Sequence, residues 1–284
     1  YGTLKNIILE INLSGAFPLH NVGGAVMYNY GTIENFAVVY GNDLTAKSYW
    51  GGIAAQNQEG GIIKNGYAYI PSNVRVNFAS AQYLGNPENV VADNGAILGV
   101  NNANSIAQNL YVVGNVNVEK QNSNWNTSSA ALGIGYNVGQ AKNVLTRGDR
   151  YFYTIDSASN IQSTSSVFSS YGGNAIGIHG GSYSEDNICY ISPMGYEYAY
   201  KDQTQMDDSD LWNLTIMNEL LNGEGQFQVE DDISAGYYPK VIMADSMMEK
   251  QPSITLPGTV GSAAPEALDA VVVDSGVDEQ GNDY

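Results

Sequence analysis

One short pattern recurs along the first two hundred residues and constrains this chain more than any other feature. Gly2-Thr3-Leu4-Lys5-Asn6 returns as Gly31-Thr32-Ile33-Glu34-Asn35 and as Gly61-Ile62-Ile63-Lys64-Asn65. Looser copies end at Asn109 and run from Gly139 to Asn143, and a degenerate one leads from Gly181 to Asn187. After most copies comes a short β-type run, such as Ile7-Ile8-Leu9, Phe36-Ala37-Val38-Val39 or Leu110-Tyr111-Val112-Val113. Ahead of most copies lies a glycine-rich apolar element, such as Val22-Gly23-Gly24-Ala25-Val26 or Trp50-Gly51-Gly52-Ile53-Ala54.

A period of this size, made of short strands and turns, predicts an all-β fold: a right-handed parallel β-helix, one coil per repeat. A β-sandwich with glycine-rich turns gives no reason for a repeated Gly-x-apolar-x-Asn. Glycine and asparagine tolerate the left-handed backbone of a sharp corner. Stacked asparagines can also bond their neighbours, so Gly2, Asn6, Gly31, Asn35, Gly61, Asn65, Asn109, Gly139 and Asn143 are read as the structural repeat. Uneven later spacing predicts insertions around residues 71–90, 115–130 and 151–170.

The helix is expected to span residues 1–204. After it, Asp207-Asp208-Ser209-Asp210 precedes a run with Leu211, Leu214, Met217, Leu220 and Leu221 on one side, a capped amphipathic helix. With the strand ending in Tyr237-Tyr238-Pro239-Lys240-Val241, it predicts a short helical C-terminal cap over residues 205–243, covering the open end of the solenoid. Residues 244–269, with Pro252, Pro257 and Pro265, read as a linker. Residues 270–284 read as the start of a further domain, and the chain itself as a piece of a longer precursor.

Charge narrows the function classes. The formal net charge is −18, and residues 201–284 carry 17 acidic against 3 basic side chains. That excess argues against nucleic-acid partners, whose phosphates are gripped by Lys and Arg, and against anionic membranes. No apolar stretch is long enough to insert in a membrane as a helix. The single cysteine, Cys189, has no internal partner, and two histidines, His20 and His179, cannot build a histidine-rich metal site. No cofactor is expected in this chain.

The Gly-Gly-apolar strand coupled to Gly-x-Ile-x-Asn resembles the GLUG motif of bacterial surface proteins. The order that follows is a Leu/Trp-bearing helix, Tyr-Tyr-Pro-Lys-Val, a proline-rich linker and Val271-Val272-Val273-Asp274-Ser275-Gly276. It is similar to the region ahead of the catalytic domain in Gram-positive zinc metallopeptidases of the IgA1-protease type. The resemblance implies a secreted or wall-attached, extracellular protein whose zinc site lies outside this chain, on a His-Glu-x-x-His helix plus a distant Glu. No such helix occurs here, so no catalytic residue carries over. It further implies a non-catalytic module that scaffolds the protease and offers a surface to host glycoprotein or glycan, its other partners being neighbouring domains of the same chain. An adhesin or glycan-binding stalk without enzyme activity is the alternative.

Other candidate chemistry is thin. Asp207-Asp208 with His179 superficially resembles the set of a galacturonan hydrolase, but the histidine comes first and no Asn-Thr-Asp or Arg-x-Lys accompanies it. Arg147, Asp149 and Arg150 read as a solvated turn with a local ion pair. Asp207/Asp208/Asp210 and Glu230-Asp231-Asp232 offer clustered oxygens for calcium without the spacing of a calcium loop. Tyr196, Tyr198 and Tyr200 alternate along a possible strand, which makes them either an aromatic platform for a sugar or protein partner or a simple stack.

Overall fold

The computed structural model describes residues 2–13, 15–17, 21–46, 49–78, 93–119, 129–155, 161–164, 173–181, 183–195, 203–221 and 225–258. Each repeat lays down strands in the same order. The first holds β1 (Thr3–Ile11), β2 (Gly15–Phe17), β3 (Val22–Gly23) and β4 (Val26–Asn29). The second holds β5 (Thr32–Tyr40), β6 (Leu44–Ala46), β7 (Trp50–Gly51) and β8 (Ala54–Asn57). The third holds β9 (Ile62–Tyr69), β10 (Val76–Phe78), β11 (Asp93–Gly95) and β12 (Leu98–Asn101). The fourth holds β13 (Ile106–Val113), β14 (Val116–Glu119), β15 (Ser129–Ala131) and β16 (Ile134–Asn137). Then come β17 (Gln140–Arg147), β18 (Arg150–Ile155), β19 (Ile161–Thr164), β20 (Ile176–His179), β21 (Ser184–Ile191) and β22 (Gln203–Gln205).

The fold is mostly β, and corresponding strands pair in parallel to form four sheets. Their orders are β1-β5-β9-β13-β17-β21-β22, β2-β6-β10-β14-β18-β19, β3-β7-β11-β15 and β4-β8-β12-β16-β20. Only β18–β19 pairs antiparallel among these strands. Side chains from all four sheets meet in one buried cluster, with Phe36 and Val38 from the first sheet, Leu44 from the second, Trp50 from the third and Ala54 from the fourth.

The first sheet positions everything that follows. Its repeat asparagines, Asn6, Asn35, Asn65, Asn109, Asn143 and Asn187, all have φ between 53° and 58°. The strand register steps over such a left-handed residue: Lys5 faces Glu34, and Ile7 faces Phe36. It shifts the alternation of side chains by one. Ile33 and Phe36 therefore both reach the shared core, where strict alternation would send them to opposite faces.

The motif glycines work differently from the expectation. None of Gly2, Gly31, Gly61 and Gly139 has a positive φ. Gly31 is needed for space instead, because a Cβ there would run into the backbone oxygen of Gly2 one repeat earlier.

The C-terminal part departs from a cap over the open end. A 3-10 helix (Asp208–Trp212), α1 (Leu214–Leu221), α2 (Val229–Ser234) and α3 (Asp245–Met248) follow β22. Asn213 breaks the single expected helix in two, its Oδ1 accepting the amides of Thr215 at 3.0 Å and Ile216 at 3.3 Å. Residues 206–221 and 225–256 pack across the outward face of the first sheet. Leu211, Met217, Leu220, Phe227, Ile233, Tyr238, Val241 and Leu256 join Ala37, Tyr67, Tyr111, Leu145 and Cys189 in a second hydrophobic cluster. Of the expected helix face, Leu214 is exposed. The linker reading is also corrected over its described part, 244–258. Tyr237 bridges Thr255, Ile254 and Leu256 are buried, and the amide of buried Gln251 clasps the backbone of Val241 at 3.0 and 2.7 Å. Residues 259–269 and 270–284 lie outside the described residues, as does most of each expected insertion.

Candidate functional site

The repeat asparagines form a ladder through the first sheet. Asn35 donates to Asn6 at 3.3 Å, Asn65 to Asn35 at 3.4 Å, Asn109 to Asn65 at 2.9 Å, Asn143 to Asn109 at 2.8 Å and Asn187 to Asn143 at 3.1 Å. Each interior amide both donates and accepts, which satisfies groups that are expensive to leave unpaired when buried. The structure thus brings together every asparagine of the sequence repeat.

A second ladder, missed in the sequence, runs where the fourth sheet hands over to the first. Asn29 donates to Asn57 at 2.8 Å, Asn57 to Asn101 and Asn101 to Asn137 at 2.9 Å each, and Asn137 to Glu185 at 3.0 Å. These amides also bond the backbone of the next strand, as Asn57 does at Ile106 O, 3.0 Å away. A short third series links Asn117 to Asn77 and Asn77 to Thr45 in the second sheet.

The basic cluster is no solvated turn. Arg150 is 1 % exposed and donates to Ala130 O at 2.7 Å. Asp149 is fully buried, accepts the Ser192 hydroxyl and the Met194 amide, and its own amide bonds Asn115. Arg147 grips Asp208 with two hydrogen bonds of 2.7 and 2.9 Å, tying the C-terminal part to β17. Burial is the largest single influence on Arg147 and opposes its charge, but the hydrogen bonding to Asp208 together with the negative charges of Asp208 and Asp149 and the nearby Tyr238 leaves the guanidinium pKa raised.

Aromatic side chains form the seam between the first sheet and its cover. Tyr67 and Tyr111 stack with centroids 4.8 Å apart, and Tyr111 stacks on Tyr238 at 5.8 Å. The Tyr111 hydroxyl donates to Pro239 O at 2.8 Å. Burial, then the nearby charge of Asp232, raises the Tyr67 pKa, and burial does the same for Tyr111 and Tyr238. Elsewhere, buried Tyr40 donates to Ala96 O at 2.9 Å and accepts Trp50 Nε1 at 3.0 Å, while Tyr28 and Tyr30 are exposed.

The remaining candidates are already engaged or out of view. Asp208 is held by Arg147, Asp210 accepts the Asp207 amide at 2.9 Å, and Asp232 accepts the Lys240 amide at 2.7 Å. Cys189 borders an open hollow of about 290 Å³ with Thr204, Met206, Asp210, Glu219 and Leu220. Burial, and secondarily Asp210, pushes its thiol up to about 11, so the nucleophilic thiolate is suppressed at neutral pH. Tyr196, Tyr198, Tyr200 and His20 lie outside the described residues. The backbone of His179 ends β20, whereas Asp207 and Asp208 follow β22 in the C-terminal part.

Compared with protein-family models, with curated proteins and with solved structures, the chain finds no match. Among the described residues, the polar side chains named above are held in ladders and clasps.

Proposed function

We propose that the four parallel sheets close into a right-handed β-helix of the GLUG type, and that this chain is the non-catalytic module of a secreted or wall-attached bacterial zinc metallopeptidase. In this reading the module holds the catalytic domain in place and offers an extended face to host glycoprotein. The observation that carries it is the repeat-by-repeat parallel pairing of four sheets over one core, laced by asparagine ladders. Parallel connections within a sheet are overwhelmingly right-handed, which sets the hand of the proposed helix. A scaffold is further supported by where the chemistry sits: Asp149 and Arg150 are buried, Asp208 is clasped by Arg147, and Cys189 is held as a thiol.

The zinc of such a peptidase would belong to another part of the protein. This chain has no His-Glu-x-x-His, and its two histidines lie in different repeats. No step of peptide hydrolysis is assigned to any residue here.

The test begins with the gene downstream of Tyr284. A His-Glu-x-x-His helix followed by a Glu ligand supports the peptidase reading, and glycoprotein cleavage is then compared with and without residues 1–258. Slower cleavage with unchanged hydrolysis of a short peptide is expected. Further repeats leading to a wall anchor, with no zinc motif, would replace that reading with an adhesin stalk.

A further inference from the structure

The two ends of the first sheet are unlike. At one end β22 pairs with Ile188, Cys189 and Tyr190 of β21. At the other, β1 is an edge strand of nine residues with no described strand beyond it. The first repeat is correspondingly underburied: Ile7, Leu9, Val22 and Val26 only partly cover the core. Their register partners Phe36, Val38, Trp50 and Ala54 are at most 1 % exposed. Leu4, Met27, Tyr28 and Tyr30 stand exposed around them.

Three further features of this end have neighbours on the β5 side only, where the same features of interior repeats have neighbours on both sides. Asn6 accepts from Asn35, but its own amide hydrogens reach no described residue, whereas every later rung donates to the rung before it. A Cβ on Gly31 would strike the backbone of Gly2, yet a Cβ on Gly2 would meet nothing within 4 Å. Lys5 begins a charged row that continues Glu34, Lys64, Gln108, Lys142, Asp186 in register. Opposite charges neighbour each other in that row, Lys5–Glu34 at 3.0 Å and Lys142–Asp186 at 3.0 Å.

We propose that this end is a docking edge for one further repeat, an extended segment of the form Gly-x-apolar-acidic-Asn followed by an apolar run, added parallel to β1. Such a segment takes the Asn6 amide on its own asparagine carbonyl and sets its Asp or Glu beside Lys5. It packs its backbone against Gly2 and completes the cover over Ile7 and Leu9. Main-chain hydrogen bonds supply affinity, as in other strand additions, and the Lys5, Asn6 and Gly2 positions supply register. A second copy of this chain is the poorer occupant, because β22 already occupies part of its outgoing edge. The inference stands on strand register alone and is independent of any attached peptidase.

The probe is a synthetic peptide of residues 31–40, which carries Glu34 and Asn35, added to the intact protein. Backbone hydrogen exchange of Thr3–Ile11 is expected to slow about tenfold at saturating peptide. The peptide with Glu34→Lys should bind about fivefold more weakly, since a lysine then faces Lys5. The protein with Gly2→Ala should keep its melting temperature but lose the protection. Unchanged exchange in β1 at millimolar peptide, or equal protection by the Glu34→Lys peptide, overturns the proposal. Concentration-dependent dimerisation that buries β1 without peptide also overturns it, in favour of a second copy. Should the peptide self-associate, duplicating residues 31–60 between Tyr1 and Gly2 decides the matter. Protection of both the inserted strand and β1 supports the edge, and random-coil exchange of the insert refutes it.

Discussion

Replacing Asn65 by Ala tests the ladder most directly, because three separable costs fall on one residue. Asn65 is 1 % exposed, sits at φ 56°, donates to Asn35 and accepts from Asn109. Alanine in the left-handed region costs about 1–2 kcal/mol. Stranding the buried Asn109 amide, 2.9 Å away, adds about 1–3 kcal/mol. The Asn35 carbonyl loses only a 3.4 Å bond, so its share is small. The sum is about 3 kcal/mol, which for a domain of this size lowers the melting temperature by roughly 6–12 °C. Asn65→Gly separates the costs: it removes the strain and adds about 0.5–1 kcal/mol of chain entropy, so it should recover about 1 kcal/mol of the loss. Asn6→Ala is the control, since that residue is exposed and bonded on one side only. Urea titrations followed by far-ultraviolet circular dichroism, with thermal melts alongside, rank the three variants. Equal effects of Asn65→Ala and Asn6→Ala would refute the cooperative ladder, and equal effects of Asn65→Ala and Asn65→Gly would refute the strain component.

Gly51→Ala places a methyl group on the carbonyl of Ala54 and should cost several kcal/mol, measured as lost soluble yield or a depressed melt, whereas Gly2→Ala should cost almost nothing. Arg147→Gln leaves Asp208 without its two-pronged partner; because Asp208 is a third exposed, the loss should be only about 1 kcal/mol, read as faster proteolysis within residues 206–258. Tyr40, Tyr67, Tyr111 and Tyr238 all have folded pKa values above the ordinary 10.0, so the folded state holds the neutral phenols. Their stabilising contribution is whole below pH 10 and declines above it, so absorbance at about 295 nm should show a second, cooperative ionisation step coinciding with unfolding. Cys189, pushed up to about 11 by burial, should react with a thiol reagent at pH 8 far more slowly in the folded protein than in denaturant, and equal rates would contradict its burial.

Much of the strand order was legible because the decisive residue is rare in its conformation. An L-residue at positive φ strongly favours asparagine, so Asn6, Asn35, Asn65, Asn109, Asn143 and Asn187 announce themselves at regular places. The second ladder left a fainter trace. Asn29 and Asn137 stand two residues before the motif glycine, while Asn57 and Asn101 stand four before Gly61 and Ser105. That variable gap makes each resemble an ordinary turn asparagine. The destination of the C-terminal part was not legible at all. Periodicity identifies the apolar side of Leu211–Leu221 but says nothing of what covers it, and Pro252 and Pro257 imitate a linker while Ile254 and Leu256 beside them are buried. Gly148-Asp149-Arg150 misleads for a related reason: adjacent charges imply solvent unless partners as distant as Ala130 and Ser192 are known.

Why asparagine rather than glycine should hold the left-handed position follows from what parallel strands need. Glycine would adopt the same φ more cheaply, but it offers nothing to the neighbouring strand. A parallel pair can slip by one residue at little backbone cost, and the slip exchanges its two faces. In the first sheet that exchange would still bury apolar side chains, because one face packs on the shared core and the other on residues 206–221 and 225–256. Hydrophobicity alone therefore discriminates weakly between registers here. The amide ladder discriminates strongly, since a one-residue slip would strand Asn65 and Asn109 among apolar neighbours with neither partner in reach. In this chain the asparagines contribute less as stabilising bonds than as the penalty that excludes every other pairing.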